Sequence, residues 1–374
     1  MLAILAEQGL NAAGPSLQRI FGINKRLFCL FVVSALFCAP VFAIPFKDLY
    51  TAEILVPADG SSGVNQNAKA GLLQVLVRVS GIADLASNPT IADALAHPAS
   101  YYYQYGFDAS NRTVTKGDQQ VPARVLKIAF EPSAIAGLLR SAGLPVWGNN
   151  RPSVLVWIAA NDEQGRKILT DAENNPVLQS LQDEALRRGL PLMFPLLDLE
   201  DSSSLTTGEV WGLFLDRIDA ASARYNPDVV LAARIQQDPS GHWNGSWDYR
   251  IDSHWQETSD AADTVDELID QMVDKLADQL ARRYATGSTR TNMTLQVEGI
   301  NSLADYAAVT AYLQSLTPVI DLNVVDIKGS EAIFQVSSDG QSQQLIQIIN
   351  LDHSMVLVNA GDDNQPVQYR WVGR

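Results

Sequence analysis

The stretch Arg151-Pro-Ser-Val-Leu-Val-Trp-Ile-Ala-Ala160 decides how the chain is organised. It follows the turn Trp147-Gly-Asn-Asn150 and is apolar from Val154 to Ala160. A short apolar run that is bounded by Gly, Asn and Pro and rich in β-branched residues predicts a strand buried on both faces of a sheet. A helical segment is the competing interpretation. The chain on either side of this strand divides into separate units.

The residues before the strand, 44–150, predict an N-terminal α+β unit with the order β-α-(α)-β-β-α. A helix capped by Ser62 or Asn65 is expected to run to Ser80, and Gly81 ends it. The aromatic run from Tyr101 to Phe107 predicts a strand, in which Tyr101, Tyr103 and Tyr105 share a face with Phe107 and Tyr102 points to the other side.

Residues 151–286 predict a central α/β unit. One strand is expected from 243 to 255, with Trp243, Trp247, Tyr249, Ile251 and Trp255 on one face. A long amphipathic helix from about 260 to 284 follows, with acidic residues in its first turns and Arg282 and Arg283 in its last.

The remaining segment, 290–374, predicts a C-terminal unit with the ferredoxin-like order β-α-β-β-α-β. Residues 367–372 are expected to add an edge strand. The predicted fold is therefore of the α+β or α/β class, with three small units of mixed sheet and helix in series.

The N-terminus has the pattern of a secretory signal peptide over residues 1–43. Lys25-Arg26 precedes an apolar run, and Val41-Phe-Ala43 supplies small residues at the cleavage positions. We expect cleavage after Ala43 and a periplasmic protein. The alternative is an uncleaved helix at 27–46 that anchors the protein in the inner membrane. Both cysteines, Cys29 and Cys38, lie in this segment, so the mature chain would have no disulfide.

The charge of the chain argues against a nucleic-acid partner. The net charge is −15, and removal of residues 1–43 takes away three basic side chains and one acidic one, which leaves −17. Such a surface repels nucleic-acid phosphates and anionic lipid headgroups. We therefore expect membrane association only if the N-terminal segment stays attached.

The aromatic residues are the candidate ligand or partner surface. Trp243, Trp247 and Trp255 on one strand face could stack on sugar rings, and Tyr102 belongs to a second aromatic cluster. The competing interpretation is that both sets are sheet core. In the first set, the tryptophans would pack beneath the 260–284 helix.

No catalytic, cofactor or metal residues are predicted. The four histidines, His97, His242, His254 and His353, lack the spacing of a zinc motif. The acidic loops near Asp162 and Asp198 do not match a calcium loop, and the nucleophile-elbow, P-loop and dinucleotide fingerprints are missing.

Two segments resemble the bacterial domain-of-unknown-function 2066 family. They are Ala68-Lys-Ala-Gly-Leu-Leu-Gln-Val-Leu-Val-Arg-Val-Ser-Gly81 and Gly143-Leu-Pro-Val-Trp-Gly-Asn-Asn-Arg-Pro-Ser-Val-Leu-Val-Trp157. That resemblance implies export in a Gram-negative bacterium and no known activity. The element order of the central unit is also similar to the amino-terminal domain of TolB and related envelope-assembly proteins.

The function predicted from these observations is a non-enzymatic interaction or envelope-assembly module of the periplasm. Its partners would be envelope or periplasmic proteins, or a glycan. The alternative is a periplasmic hydrolase or glycan-binding protein that uses a cleft between units, with the strand from Trp243 to Trp255 contributing to it.

Overall fold

The computed structural model describes residues 49–373 except 61–62, 163–164, 172–174, 352 and 362–364. The predicted signal peptide at 1–43 and the alternative anchor at 27–46 lie outside the described residues. Among those that are described, no helix is both long enough and apolar enough to cross a membrane. The described residues group into one compact unit, and the predicted boundaries near 150 and 286–290 stay predictions.

The N-terminal part is an antiparallel sheet of order β1-β3-β2 with helices packed against it. Its elements are β1 (Thr51–Pro57), α1 (Val64–Ser80), α2 (Pro89–Ala96), β2 (Tyr102–Lys116), β3 (Gln119–Phe130) and α3 (Pro132–Ser141). Helix α1 ends as predicted, because Gly81 adopts a left-handed φ of 74° that ordinary side chains avoid.

A bulge near the start of β2 changes the predicted aromatic faces. Tyr102 pairs with Phe130 and Gln104 with Ala129, so Tyr103 is the extra residue. Tyr102 therefore lies on the same face as Tyr105 and Phe107, and its ring is 6.4 Å from that of Tyr105. The expectation that Tyr102 points to the opposite side is wrong.

The central sheet has the order β5-β4-β7-β8-β9, with β6 beside β4. Its elements are β4 (Val154–Asp162), β5 (Gly165–Ile168), α4 (Pro176–Arg188), β6 (Leu192–Met193), α5 (Leu199–Ser204), α6 (Thr207–Trp211), α7 (Leu215–Ser222), β7 (Val229–Gln237), β8 (Trp243–Ile251), β9 (His254–Ala262) and α8 (Val265–Tyr284). Strand β4 is buried on both faces, as predicted. Val156 and Ile158 pack beneath α4 and α8, and Leu155 and Trp157 pack against α6 and α7.

The segment from 243 to 262 is a hairpin of β8 and β9 and not one strand followed by a helix. Asp252 and Ser253 have φ of 51° and 66° and form the two-residue turn between the strands. The turn places Trp255 opposite Arg250, on the other face of the sheet from Trp247. The expectation that Trp243, Trp247 and Trp255 share one face is therefore wrong, because Asp-Ser is a weak sequence signal for such a turn.

The C-terminal sheet has the order β11-β12-β10-β14-β13. Its elements are β10 (Arg290–Glu298), α9 (Leu303–Ser315), β11 (Val319–Lys328), β12 (Glu331–Asp339), α10 (Ser342–Leu351), β13 (Met355–Asn359) and β14 (Val367–Trp371). The predicted order β-α-β-β-α-β is present, and the multi-unit α+β fold class is confirmed. The sequence predicts an edge strand at 367–372, but β14 lies between β10, to which it is parallel, and β13.

A buried arginine joins the N-terminal and central parts. Arg151 is 8% exposed, and its guanidinium donates five hydrogen bonds to backbone carbonyls. The accepting residues are Arg78, Trp147, Gly148, Arg188 and Gly189. The guanidinium also stacks on the Trp147 ring at 4.0 Å. Burial lowers the pKa of Arg151 to about 9, which leaves it charged at neutral pH.

Arg188, at the end of α4, extends this junction to α8. Its side chain is fully buried and donates to Asp274 and to Asp278, the latter at 2.7 Å. It also donates to the carbonyl of Gly81 at 2.9 Å. The last turns of α1 and α4 are therefore held together, and α4 is held against α8.

We expect Gly189→Ala to lower the free energy of unfolding by about 2 kcal/mol or more. Gly189 has a φ of 71°, and an added Cβ would lie 2.6 Å from both Arg151 Nη1 and Arg78 Cγ. Urea unfolding measures the effect. The matched control is Gly137→Ala in α3, where the added Cβ meets nothing within 4 Å and helix propensity favours alanine. Equal stability of Gly189→Ala and the wild type would contradict the role given to this junction.

We expect Asp248→Asn to stabilise the protein at neutral pH. Asp248, on β8, is 4% exposed and lies opposite Glu257. Burial, and secondly Glu257, raise the pKa of Asp248 above its value in the unfolded chain. The cost of burying the charge is therefore present above the folded pKa and disappears as the pH falls through it.

Urea unfolding at several pH values measures this effect. The stability difference between Asp248→Asn and the wild type should shrink from pH ~7 towards pH ~4. Asp118→Asn, in the exposed β2–β3 turn, is the control and should show no such trend. A difference that grows on acidification would contradict the prediction.

Candidate binding cleft

A cleft of about 720 Å³ lies between the N-terminal sheet and α4. This volume is within the range of roughly 300–1,000 Å³ that small-ligand sites occupy. One wall is the edge strand β1, which contributes the consecutive residues Glu53, Ile54 and Leu55. A site at a strand edge exposes main-chain groups as well as side chains.

Helix α1 forms the second wall with one face. The residues Ala70, Leu73, Gln74 and Val77 have the i, i+3, i+4, i+7 spacing that places side chains on one side of a helix. Three of the four are apolar. The apolar stripe of α1 thus continues past the sheet core into the cleft.

Helix α4 forms the third wall with Asp183, Leu186 and Arg187. Arg187 donates to Glu184 at 2.6 Å and to Asp274 of α8 at 3.0 Å. Burial raises the pKa of Glu184, and the ion pair with Arg187 opposes that shift. The polar side of this wall is therefore held by α8 and does not depend on a ligand.

An ion pair crosses the mouth of the cleft. Arg112 of β2 contacts Asp183 of α4 at 3.0 Å, and their side chains are 52% and 57% exposed. Arg112 reaches this position because the pairing of β2 with β3 is interrupted between Ala109 and Thr113. Exposed pairs of this kind contribute at most about 1 kcal/mol, so the contact can open at little cost.

Gln74 is a polar residue that lines the cleft. Its Oε1 atom is buried and has no hydrogen-bond partner among the described residues. A buried acceptor without a donor is unfavourable unless a ligand or water supplies one. The cleft therefore combines apolar walls with a buried acceptor that lacks a donor in the described part of the chain.

The four aromatic residues proposed from the sequence are spread over the molecule. Trp247 is 1% exposed and, with the half-buried Trp243, packs in the core that α8 covers. Trp255 packs on the opposite side of the central sheet. Tyr102 lies on the N-terminal sheet, where its hydroxyl donates to Asn65 Oδ1 at 3.0 Å. The structure does not bring them together.

His254 lies away from the cleft. His254 lines a shallow depression of about 380 Å³ with Asp252, Gln256 and Arg283. The Asp252 carboxylate is paired with Arg283, and His254 Nδ1 lies 2.9 Å from the Asp252 carbonyl oxygen. In the part of the chain that the structure describes, no group of three or more His, Cys, Asp or Glu residues could hold a metal ion.

Sequence reasoning missed the cleft because its walls come from separate segments. Residues 53–55, 70–77, 110–112 and 183–187 meet only in the folded chain. One signal was available, since Leu73 and Val77 extend the apolar stripe of α1 beyond the width that one sheet covers.

Comparison with known proteins corrects the family resemblance. Residues 43–148 match the model of a domain of unknown function, DUF8605. The resemblance to the domain-of-unknown-function 2066 family is therefore wrong, and the likeness of the central unit to the TolB amino-terminal domain is unsupported. The two segments that suggested this resemblance form a helix with a glycine cap and a buried strand, and many folds contain such elements.

No curated protein matches the chain. Among the solved structures that match, one of an uncharacterised protein is 11% identical over 36% of this chain and 91% of its own, with a TM-score of 0.18. That likeness is too low to carry an argument. The DUF8605 match covers β1, α1 and the β2–β3 hairpin, so it includes two of the three cleft walls.

Proposed function

We propose that the protein is an exported, non-enzymatic interaction module of the cell envelope that holds a segment of a partner polypeptide in the cleft. The observation that carries this proposal is the cleft itself, with its edge strand, apolar helix faces and ion pair across the mouth. Sites for polypeptides commonly combine main-chain hydrogen bonding with pockets for apolar side chains.

The composition of the cleft supports a polypeptide over a glycan. None of the described residues that line it is aromatic, and Trp243, Trp247 and Trp255 pack in the two cores of the central sheet. Leu73, Val77 and Leu186 instead offer aliphatic contacts. A hydrolase or glycan-binding protein is the alternative, and no contact in the cleft favours it.

We expect the cellular protein to begin at Ile44. The basic, apolar and small-residue order of residues 25–43 supports cleavage after Ala43. Intact-mass measurement of protein from the periplasmic fraction tests this expectation. A product that retains Lys25 and sediments with membranes would support the anchored alternative and contradict a freely exported module.

A photo-crosslinking amino acid at Ser110, which lines the cleft, should give a discrete adduct in living cells of the source organism. Leu186→Glu should remove that adduct, because it places a charge on the apolar wall. Leu199→Glu is the matched control, since Leu199 is 84% exposed and does not line the cleft.

Three outcomes separate the possibilities. A protein adduct that is lost in Leu186→Glu and kept in Leu199→Glu supports the proposal. An adduct that carries glycan in place of peptide fragments would favour the alternative. An adduct that persists in Leu186→Glu would mean that the partner binds outside the cleft.

A further inference from the structure

The register of β1 shows which of its backbone groups point away from β3. Phe130 N donates to Tyr50 O and Ala58 N donates to Pro122 O, each at 2.9 Å, at the two ends of the β1–β3 ladder. The ladder between them has no shift, and antiparallel pairs alternate between hydrogen-bonded and non-bonded. Even-numbered residues of β1 therefore bond to β3. The N–H and C=O groups of odd-numbered residues point to the free edge.

One contact and one proline agree with this alternation, and they limit the unpaired edge at its two ends. The carbonyl of Thr51 accepts from Arg78 Nη1 at 2.8 Å, so the first outward acceptor is already bound. Pro57, the last outward residue, has no N–H, and proline is tolerated in strands mainly where its nitrogen faces an open edge. Glu53 and Leu55 remain between them, with outward donors and acceptors about 7 Å apart.

The same two residues line the cleft. In the described part of the chain, β1 pairs with β3 alone. Alternating N–H and C=O groups at this spacing match the edge of another strand.

We propose that the cleft takes an extended segment of a partner polypeptide as an added strand on β1, hydrogen-bonded to the backbone of Glu53 and Leu55. This inference rests on the proposed function and specifies its binding mode. Alternate side chains of the segment contact Leu73, Val77 and Leu186, and the Arg112–Asp183 pair closes over it. The segment is recognised chiefly through its main chain, so sequences that share little except apolar alternation bind.

The probe is a library of linear dodecapeptides displayed on phage and selected against the full chain. An enriched peptide is synthesised with a fluorophore, and its affinity is measured by anisotropy. Leu55→Pro removes one outward N–H and should weaken binding about tenfold or more. Leu55→Ala keeps that N–H and should weaken it less. Thr51→Pro, at an outward position that does not line the cleft, should leave the affinity unchanged.

Hydrogen exchange with residue resolution gives an independent measurement. In the free protein, the amides of Glu53 and Leu55 should exchange faster than the amide of Ile54, which bonds to β3. The bound peptide should slow the exchange of Glu53 and Leu55 and leave that of Ile54 nearly unchanged.

The outcomes separate this inference from the proposed function. If Leu186→Glu abolishes peptide binding while Leu55→Pro retains it and the β1 amides stay unprotected, strand addition is overturned and the cleft remains the site. If Leu186→Glu binds as the wild type does, or if no peptide is enriched, both fail. A dimer of the full chain that Leu55→Pro dissociates would also overturn the inference, because a second copy would then occupy the edge.

Discussion

The Arg151 guanidinium, which donates to five backbone carbonyls, is the interaction on which the arrangement of the N-terminal and central parts depends. Two of the accepting groups, on Arg78 and Arg188, belong to the last turns of α1 and α4. Helix C-termini carry partial negative charge and carbonyls without intrahelical partners. The buried cation therefore satisfies several groups at once, without a carboxylate among these partners. Only the planar fork of arginine has enough donors for this geometry.

This junction also determines where the cleft can form. Arg151 and Arg188 hold the ends of α1 and α4 together, and an added Cβ at Gly81 would lie 2.4 Å from the Cβ of Ala281. Residues that line the cleft occur on the same two helices before these ends, at 70–77 and 183–187. Because Asp274 and Asp278 hold α4 through Arg188, the wall that α4 presents to β1 is braced by the central core. A binding site between two parts of a chain needs such a brace if it is to keep its shape without a ligand.

The sequence predicted those elements whose pattern is local. The two-sided burial of Val154–Ala160, the glycine end of α1 and the apolar stripe of α8 each follow from short-range periodicity and turn chemistry. Two features of the strands were predicted wrongly. One is a bulge that shifts the register by one residue, and the other is a turn that reverses the direction of the chain. The bulge at Tyr103 moved Tyr102 to the other face, and the Asp252-Ser253 turn moved Trp255 to the other side of the sheet. The cleft could not be predicted, because its lining comes from four segments that are distant in sequence. The hydrogen bonds from Arg151 to backbone carbonyls that hold two of these segments together have no local sequence pattern.

An unpaired edge strand invites aggregation, and proteins usually shorten, bend, charge or cover such edges. Among the described strands, β1 and β2 are the two unpaired edges of the N-terminal sheet, and they are protected in different ways. Strand β2 exposes Tyr103 and Phe107, but its pairing is interrupted at two places, which breaks the regular spacing that an incoming strand would need. Strand β1 keeps an unbroken register, is closed at its ends by the Arg78 contact and by Pro57, and lines a cleft whose opposite wall is α4. Strand β1 therefore has the more regular unpaired edge, and it is the strand that lines the cleft. This arrangement is expected if β1 binds an added strand, since an edge that only needed protection could be interrupted as β2 is.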